Sequence, residues 1–168
     1  MVKKNNRLKN VEKEKFIKTI SEKPSIKDEN SLVERCKFNF SYLDFSQDMS
    51  GSCEQSELIA LVGKKLLDFS RSSLKYWQGE KIGSGKQAVL EVYGSFPKHS
   101  NFIEPKNIPY EALWARFRLD STKRLIGFVI PDEYHNTKHD KLNYFFDSNT
   151  FYVVFLDPEH NFYPIKSK

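Results

Sequence analysis

Six residues of this chain have the types and spacing to do chemistry on a phosphate. Trp114, Arg116 and Arg118 alternate along Leu113-Trp114-Ala115-Arg116-Phe117-Arg118-Leu119, and Arg124 opens the next apolar segment after Asp120 to Lys123. Side chains two apart on a strand share a face, so an indole and two guanidiniums point together. That combination suits a phosphate held beside a stacked base. His160 and Tyr163 follow the last apolar run of the chain. A histidine works as acid or base near neutral pH, and a tyrosine orients a group or donates a proton. Cleavage of RNA without a metal needs a base for the ribose 2′-hydroxyl, a cation for the pentavalent phosphate and an acid for the leaving oxygen. His160, Arg118 with Arg124, and Tyr163 could supply these, with Trp114 and Arg116 binding substrate.

These residues need a hairpin to bring them together. With a three-residue turn at Asp120 to Thr122, Arg118 lies opposite Arg124, and a bound anion would explain two like charges facing each other. A two-residue turn would shift the register and remove Arg124 from that face. Equally open is a structural role, in which the arginine stems cover the sheet or the heads pair with Asp120, Glu111 or the acids of a later insert.

Around the hairpin the pattern predicts a sheet and a helix pair. Cys36, Phe38, Phe40 and Tyr42 alternate with polar residues, so Arg35 to Phe45 reads as the first strand. Gln47 to Cys53 reads as a polar loop, and Ser52 or Cys53 precedes acids suited to a helix N-terminus. Leu58, Leu61, Val62, Lys65, Leu66 and Phe69 trace one helical face, and Leu74 with Trp77 continues it after a break near Ser70, which makes a helical hairpin or one bent helix. Ala88 to Phe96 reads as a second strand, with Val89, Glu91 and Tyr93 on one face. Thr150 to Leu156 is apolar on both faces, as a central strand would be. The predicted architecture is α+β: a mainly antiparallel sheet with a helix pair packed on one face. Leu113, Phe117, Leu125 and Val153 are the expected core.

Other motifs point to less. Gly83-Ser84-Gly85-Lys86 lacks the spacing and preceding strand of a phosphate loop and reads as a connection. His135 and His139 sit four apart in the polar insert Pro131 to Asn149; they could ligate a metal on a helix, but their surroundings read as a solvated loop. Cys36 and Cys53 have no metal-ligand spacing and read as reduced thiols. Neither a metal nor a cofactor is expected.

Charge is distributed unevenly. Residues 1–31 hold nine Lys or Arg and five acids, a net +4 of the chain's +5. Any nucleic-acid site on residues 32–168, read as a single α+β domain, must therefore be a local patch. Residues 1–31 read as a basic mobile arm with one marginal helix, serving as a solvated tail or an electrostatic tether to RNA or DNA, and their deletion is expected to leave the melting temperature nearly unchanged. No apolar run approaches the roughly 18 residues that span a bilayer, and Met1 to Asn10 lacks a signal-peptide centre, so the expectation is a cytoplasmic protein without a membrane partner.

The order of strand, helical hairpin and antiparallel strands, with Trp114-Ala115-Arg116-Phe117-Arg118, Lys123-Arg124-Leu125-Ile126-Gly127-Phe128 and the terminal His160 and Tyr163, resembles the RelE/ParE toxin superfamily, notably its YoeB type. The resemblance covers residues 35 to 165. It implies a RelE/ParE-like fold, cleavage of messenger RNA on the ribosome by arginines and a C-terminal His or Tyr, and an antitoxin protein as a further partner. Two residues separate His160 from Tyr163 where the YoeB type has a pair, and the arm, the strand near Val89 to Gly94 and the 131–149 insert are additions. Gyrase-directed ParE-like members show that such a fold does not entail RNA cleavage. A noncatalytic module of the same fold, binding nucleic acid or an acidic protein segment through its Arg/Trp face, is the alternative.

Overall fold

The computed structural model describes residues 14–15, 25–27, 31–47, 55–83 and 85–164. The chain divides into two units, Met1–Leu32 and Val33–Lys168. Nearly all of the basic arm lies outside the described residues, as does the helix start expected at Ser52 or Cys53.

The second unit is an α+β structure built on one five-stranded sheet. Its strands are β1 (Lys37–Asn39), β2 (Leu90–Gly94), β3 (Leu113–Arg118), β4 (Arg124–Val129) and β5 (Thr150–Asp157), in the order β1-β5-β4-β3-β2. Only the β1–β5 pair is parallel. β5 pairs β4 along its length and β1 over Thr150 to Tyr152, and Phe151, Val153, Val154, Phe155 and Leu156 are all buried because both faces of the sheet are covered there.

Helices α1 (Gln55–Phe69) and α2 (Leu74–Gly79) follow the predicted helix pair, broken at Ser70 to Ser73. Ser73 starts α2 by accepting the Tyr76 N–H on its side chain. Leu58, Val62, Phe69 and Leu74 bury against one sheet face with Phe117, Leu125, Phe151 and Val153, and the Phe69 and Phe117 rings stack at 4.5 Å. Of the expected core residues, Phe117, Leu125 and Val153 are fully buried, while Leu113 near the strand end is partly exposed. Cys36 closes this core: its thiol donates to Phe69 O, and burial pushes its pKa up to about 11.

The first strand is shorter than its alternation suggested. It ends at Asn39 because that side chain accepts the Ser41 N–H and turns the backbone, and Leu43 N then bonds Phe40 O. The turn carries Tyr42 to the opposite sheet face, where its ring meets Phe128 and Tyr152 edge-on.

That opposite face is the larger departure. It was expected to present Trp114 and the arginines outward, but a second apolar cluster covers it, made of Phe102, Trp114, Ile126, Phe128, Val154, Phe155 and Phe162. The residues between β2 and β3 and the turn after β5 supply the covering aromatics, against an aromatic content of 14%. The sheet is therefore the middle of three layers.

The 131–149 insert is folded rather than loose. Asn136 N bonds Phe146 O and Phe146 N bonds Thr137 O, forming a small hairpin. His135 Nδ1 accepts from Ser148 N, and His139 Nδ1 accepts from Lys141 N and Leu142 N. Among the described residues no group of three or more metal-ligating side chains comes together, and no helix is long and apolar enough to cross a membrane.

Candidate active site

The β3–β4 hairpin closes with the three-residue turn, because the register pairs Arg118 with Arg124 and Leu119 N bonds Lys123 O. Asp120 builds the turn by accepting the N–H groups of Thr122 and Lys123 on its side chain. Arg116, Arg118 and Arg124 therefore share a sheet face.

On that face Arg116 is the hub. It is only 8% exposed. Its Nε and Nη2 both donate to Glu91 Oε2, at 3.2 and 2.6 Å, and its Nη1 lies 2.8 Å from His160 Nε2. A guanidinium has no acceptor, so the imidazole accepts at Nε2 and is neutral in this contact. Burial lowers the His160 pKa, and the charges of Arg124 and Arg116 lower it further, while a hydrogen bond with its own backbone and the charge of Asp157 oppose them. The Arg116 guanidinium also sits 5.6 Å from the Tyr93 ring centre, and Tyr93 stacks on Tyr163 at 5.2 Å, with ring planes 10° apart.

His160 reaches this place through a strained turn. Its φ is +65°, in the left-handed region that a non-glycine residue occupies at a cost of about 1 kcal/mol. Asp157 holds the turn closed: its carboxylate accepts Asn161 N at 2.8 Å and Phe162 N at 2.9 Å. Phe162 then anchors in the second core.

Arg124 is 1% exposed and committed to structure. Its Nη1 donates to Asp120 O and Lys123 O and its Nη2 to Ser121 O, so the guanidinium caps the hairpin turn. Asp157 faces it across the β4–β5 ladder. Burial, followed by the charges of Arg118 and Arg116, pushes the Arg124 pKa down to about 10, which still leaves it protonated at neutral pH.

Of the six residues singled out in the sequence, Arg116, Arg124, His160 and Tyr163 thus line one crevice with Tyr93 and Asp157. The crevice is closed: its side chains leave no space for a water molecule. Arg118 stands one step along β3 and lines a different hollow of about 880 Å³ between the helix pair and the hairpin turn. Trp114 does not reach the crevice mouth: it is 2% exposed, stacked over Phe155, with its indole N–H donated to Glu104. No face of it is free for a base.

Three polar atoms near these arginines, Tyr93 OH, Arg118 Nε and Arg124 Nε, are buried without a hydrogen-bond partner among the described residues. Burial of a polar atom without a partner carries a desolvation cost. Glu91, Tyr93 and Asp157 were not singled out as site residues in the sequence. The alternation of β2 did put Glu91 and Tyr93 on one face, but nothing local shows that this face meets Arg116 across the β2–β3 ladder.

No family model matches this chain, and comparison with curated proteins and with solved structures gives no match either. The site stands on its own geometry.

Proposed function

We propose that this protein is a toxin-like, metal-independent endoribonuclease acting on messenger RNA, in the manner of the RelE/ParE-like toxins its hairpin and C-terminal residues resemble. The observation that carries this reading is the 2.8 Å contact between Arg116 and the neutral imidazole of His160. A base and a cation side by side are what attack by a 2′-hydroxyl on its neighbouring phosphate requires.

Engagement of a phosphate by Arg116 draws the guanidinium from His160 and frees Nε2. His160 takes the 2′-hydroxyl proton, the 2′-oxygen forms its bond to phosphorus, and the bond to the 5′-oxygen breaks. Tyr163 donates a proton to that oxygen, leaving a 2′,3′-cyclic phosphate and a 5′-hydroxyl. Arg118, whose Nε has no partner, adds positive charge for a neighbouring phosphate. Arg124 contributes charge from its place in the turn. Ribosome and antitoxin are the partners this reading implies, and the cytoplasm its compartment.

The closed crevice favours a second reading, a noncatalytic RNA- or protein-binding module in which the arginines are structural. Primer extension on messenger RNA after controlled expression separates the two. The toxin reading expects new 5′ ends and growth arrest with the wild type, and neither with His160→Asn, a residue that tolerates the left-handed backbone. Absence of new ends with the folded wild type overturns it.

A further inference from the structure

Beside the His160 crevice lies a hollow of about 710 Å³ lined by Tyr93, Phe96, Pro97, Lys98, His99 and Tyr163, among others. It shares Tyr93 and Tyr163 with the crevice. Its lining includes a lysine and a histidine and no acid.

The segment carrying the two basic residues is fixed to the site. Pro97 O accepts Ser100 N, so Lys98 and His99 occupy the tip of a tight turn, and both are exposed. The next residue is tied to the turn that holds His160: Asn101 N donates to Asn161 O, and the two side-chain amides meet at 3.4 Å. On the other wall Tyr163 is 50% exposed although Tyr93 stacks against it, so an open aromatic surface lines the hollow. A flat aromatic platform with hydrogen-bond donors and a lysine at its rim is the arrangement that takes a single-stranded nucleotide: the base stacks, and the phosphate meets the donors.

Resting on the RNA-cleavage reading, the geometry points to this hollow as a nucleotide subsite flanking the scissile phosphate, with Tyr163 as the base platform and Lys98 and His99 as the phosphate contacts. Substrate selection by this subsite is for unpaired RNA, because a base inside a duplex has no free face to offer the platform. Tyr163 then has two separable features, its ring for stacking and its hydroxyl for proton transfer.

The test is fluorescence anisotropy with the full chain and a fluorescein-labelled single-stranded 2′-O-methyl RNA hexamer, which cannot be cut because its 2′-oxygens are capped. Tyr163→Leu is expected to weaken binding roughly ten-fold while Tyr163→Phe preserves it. Lys98→Ala and His99→Ala are expected to weaken binding several-fold. Lys98→Ala should also flatten the plot of log affinity against log salt by about 0.7. Lys98 and His99 are exposed, so their variants keep the inference testable should Tyr163→Leu unfold, which a circular dichroism melt detects. Equal affinities across these variants, equal competition by a duplex of the same sequence, or no binding by the wild type would overturn the subsite. Cleavage by the wild type with unchanged binding in the variants overturns only the subsite. Weakened binding in the variants without wild-type cleavage keeps the subsite and removes the nuclease.

Discussion

Arg116 donates from Nη1 to His160 Nε2 across 2.8 Å, joining the middle of β3 to a turn 44 residues later. The contact needs an imidazole without a proton on Nε2, and burial with two nearby guanidiniums favours that neutral form. A histidine whose ordinary pKa is 6.5 is thereby kept as a base in neutral solution.

The acid limb of the pH–rate profile for RNA cleavage should therefore have its midpoint below 6.5. Arg116→Gln removes one of the lowering charges and should move that limb upward. The same shift acts on stability: the folded pKa lies below the unfolded one, so this contribution is complete above pH 6.5 and is lost as pH falls through the window below it. Urea titrations across that window should show a shallower pH dependence in His160→Asn.

Arg118→Ala should lower kcat/KM for cleavage about ten-fold through the lost contact with a neighbouring phosphate, with little change in folding. The Arg118 Nε has no partner to lose, and removing the guanidinium relieves its repulsion of Arg124. Cleavage rates alongside thermal melts check both halves.

Arg124→Met should behave differently from Arg118→Ala. It withdraws three hydrogen bonds from the turn carbonyls and leaves the buried Asp157 carboxylate facing no cation across the ladder. A loss of about 3 kcal/mol is expected in urea unfolding. Unchanged stability with lost cleavage would instead assign Arg124 to the phosphate.

Gly127→Ala should destabilise the sheet by about 3 kcal/mol, or prevent folding. A Cβ there would lie 2.0 Å from Tyr152 O and 2.7 Å from the Phe151 ring. The position adjoins the irregularity where β5 runs one residue longer than β4. Equilibrium unfolding of the variant measures it.

Local pattern in the sequence was enough for the helix pair, for a β-hairpin with a turn near Asp120 and for an interior place for β5, while the choice of the three-residue turn, and with it the arginine pairing, was left to the structure. Each legible element depends on neighbouring residues: a helical stripe from Leu58 to Phe69, an Asp120 side chain that closes its own turn, and an unbroken apolar run. His160 and Tyr163 could be singled out by residue type, and Arg116 and Arg118 could be put on one face by alternation.

Tertiary packing decided what each of those groups can do. Alternation gives Trp114 the same face as Arg116 but does not reveal that Phe96, Phe102 and Phe162 cover the Trp114 end of it. Arg118 and Arg124 sit opposite each other in register and both leave Nε unpartnered among the described residues, yet Arg124 ties Nη1 and Nη2 to the turn carbonyls while Arg118 lines the hollow beside the helix pair. The companions of His160 come from β2, β3 and the end of β5, far apart along the chain. Short-range periodicity sets which way a side chain points. Which distant segment meets it, and whether water or an aromatic ring covers it, follows only when the strands pair and the loops fold over them.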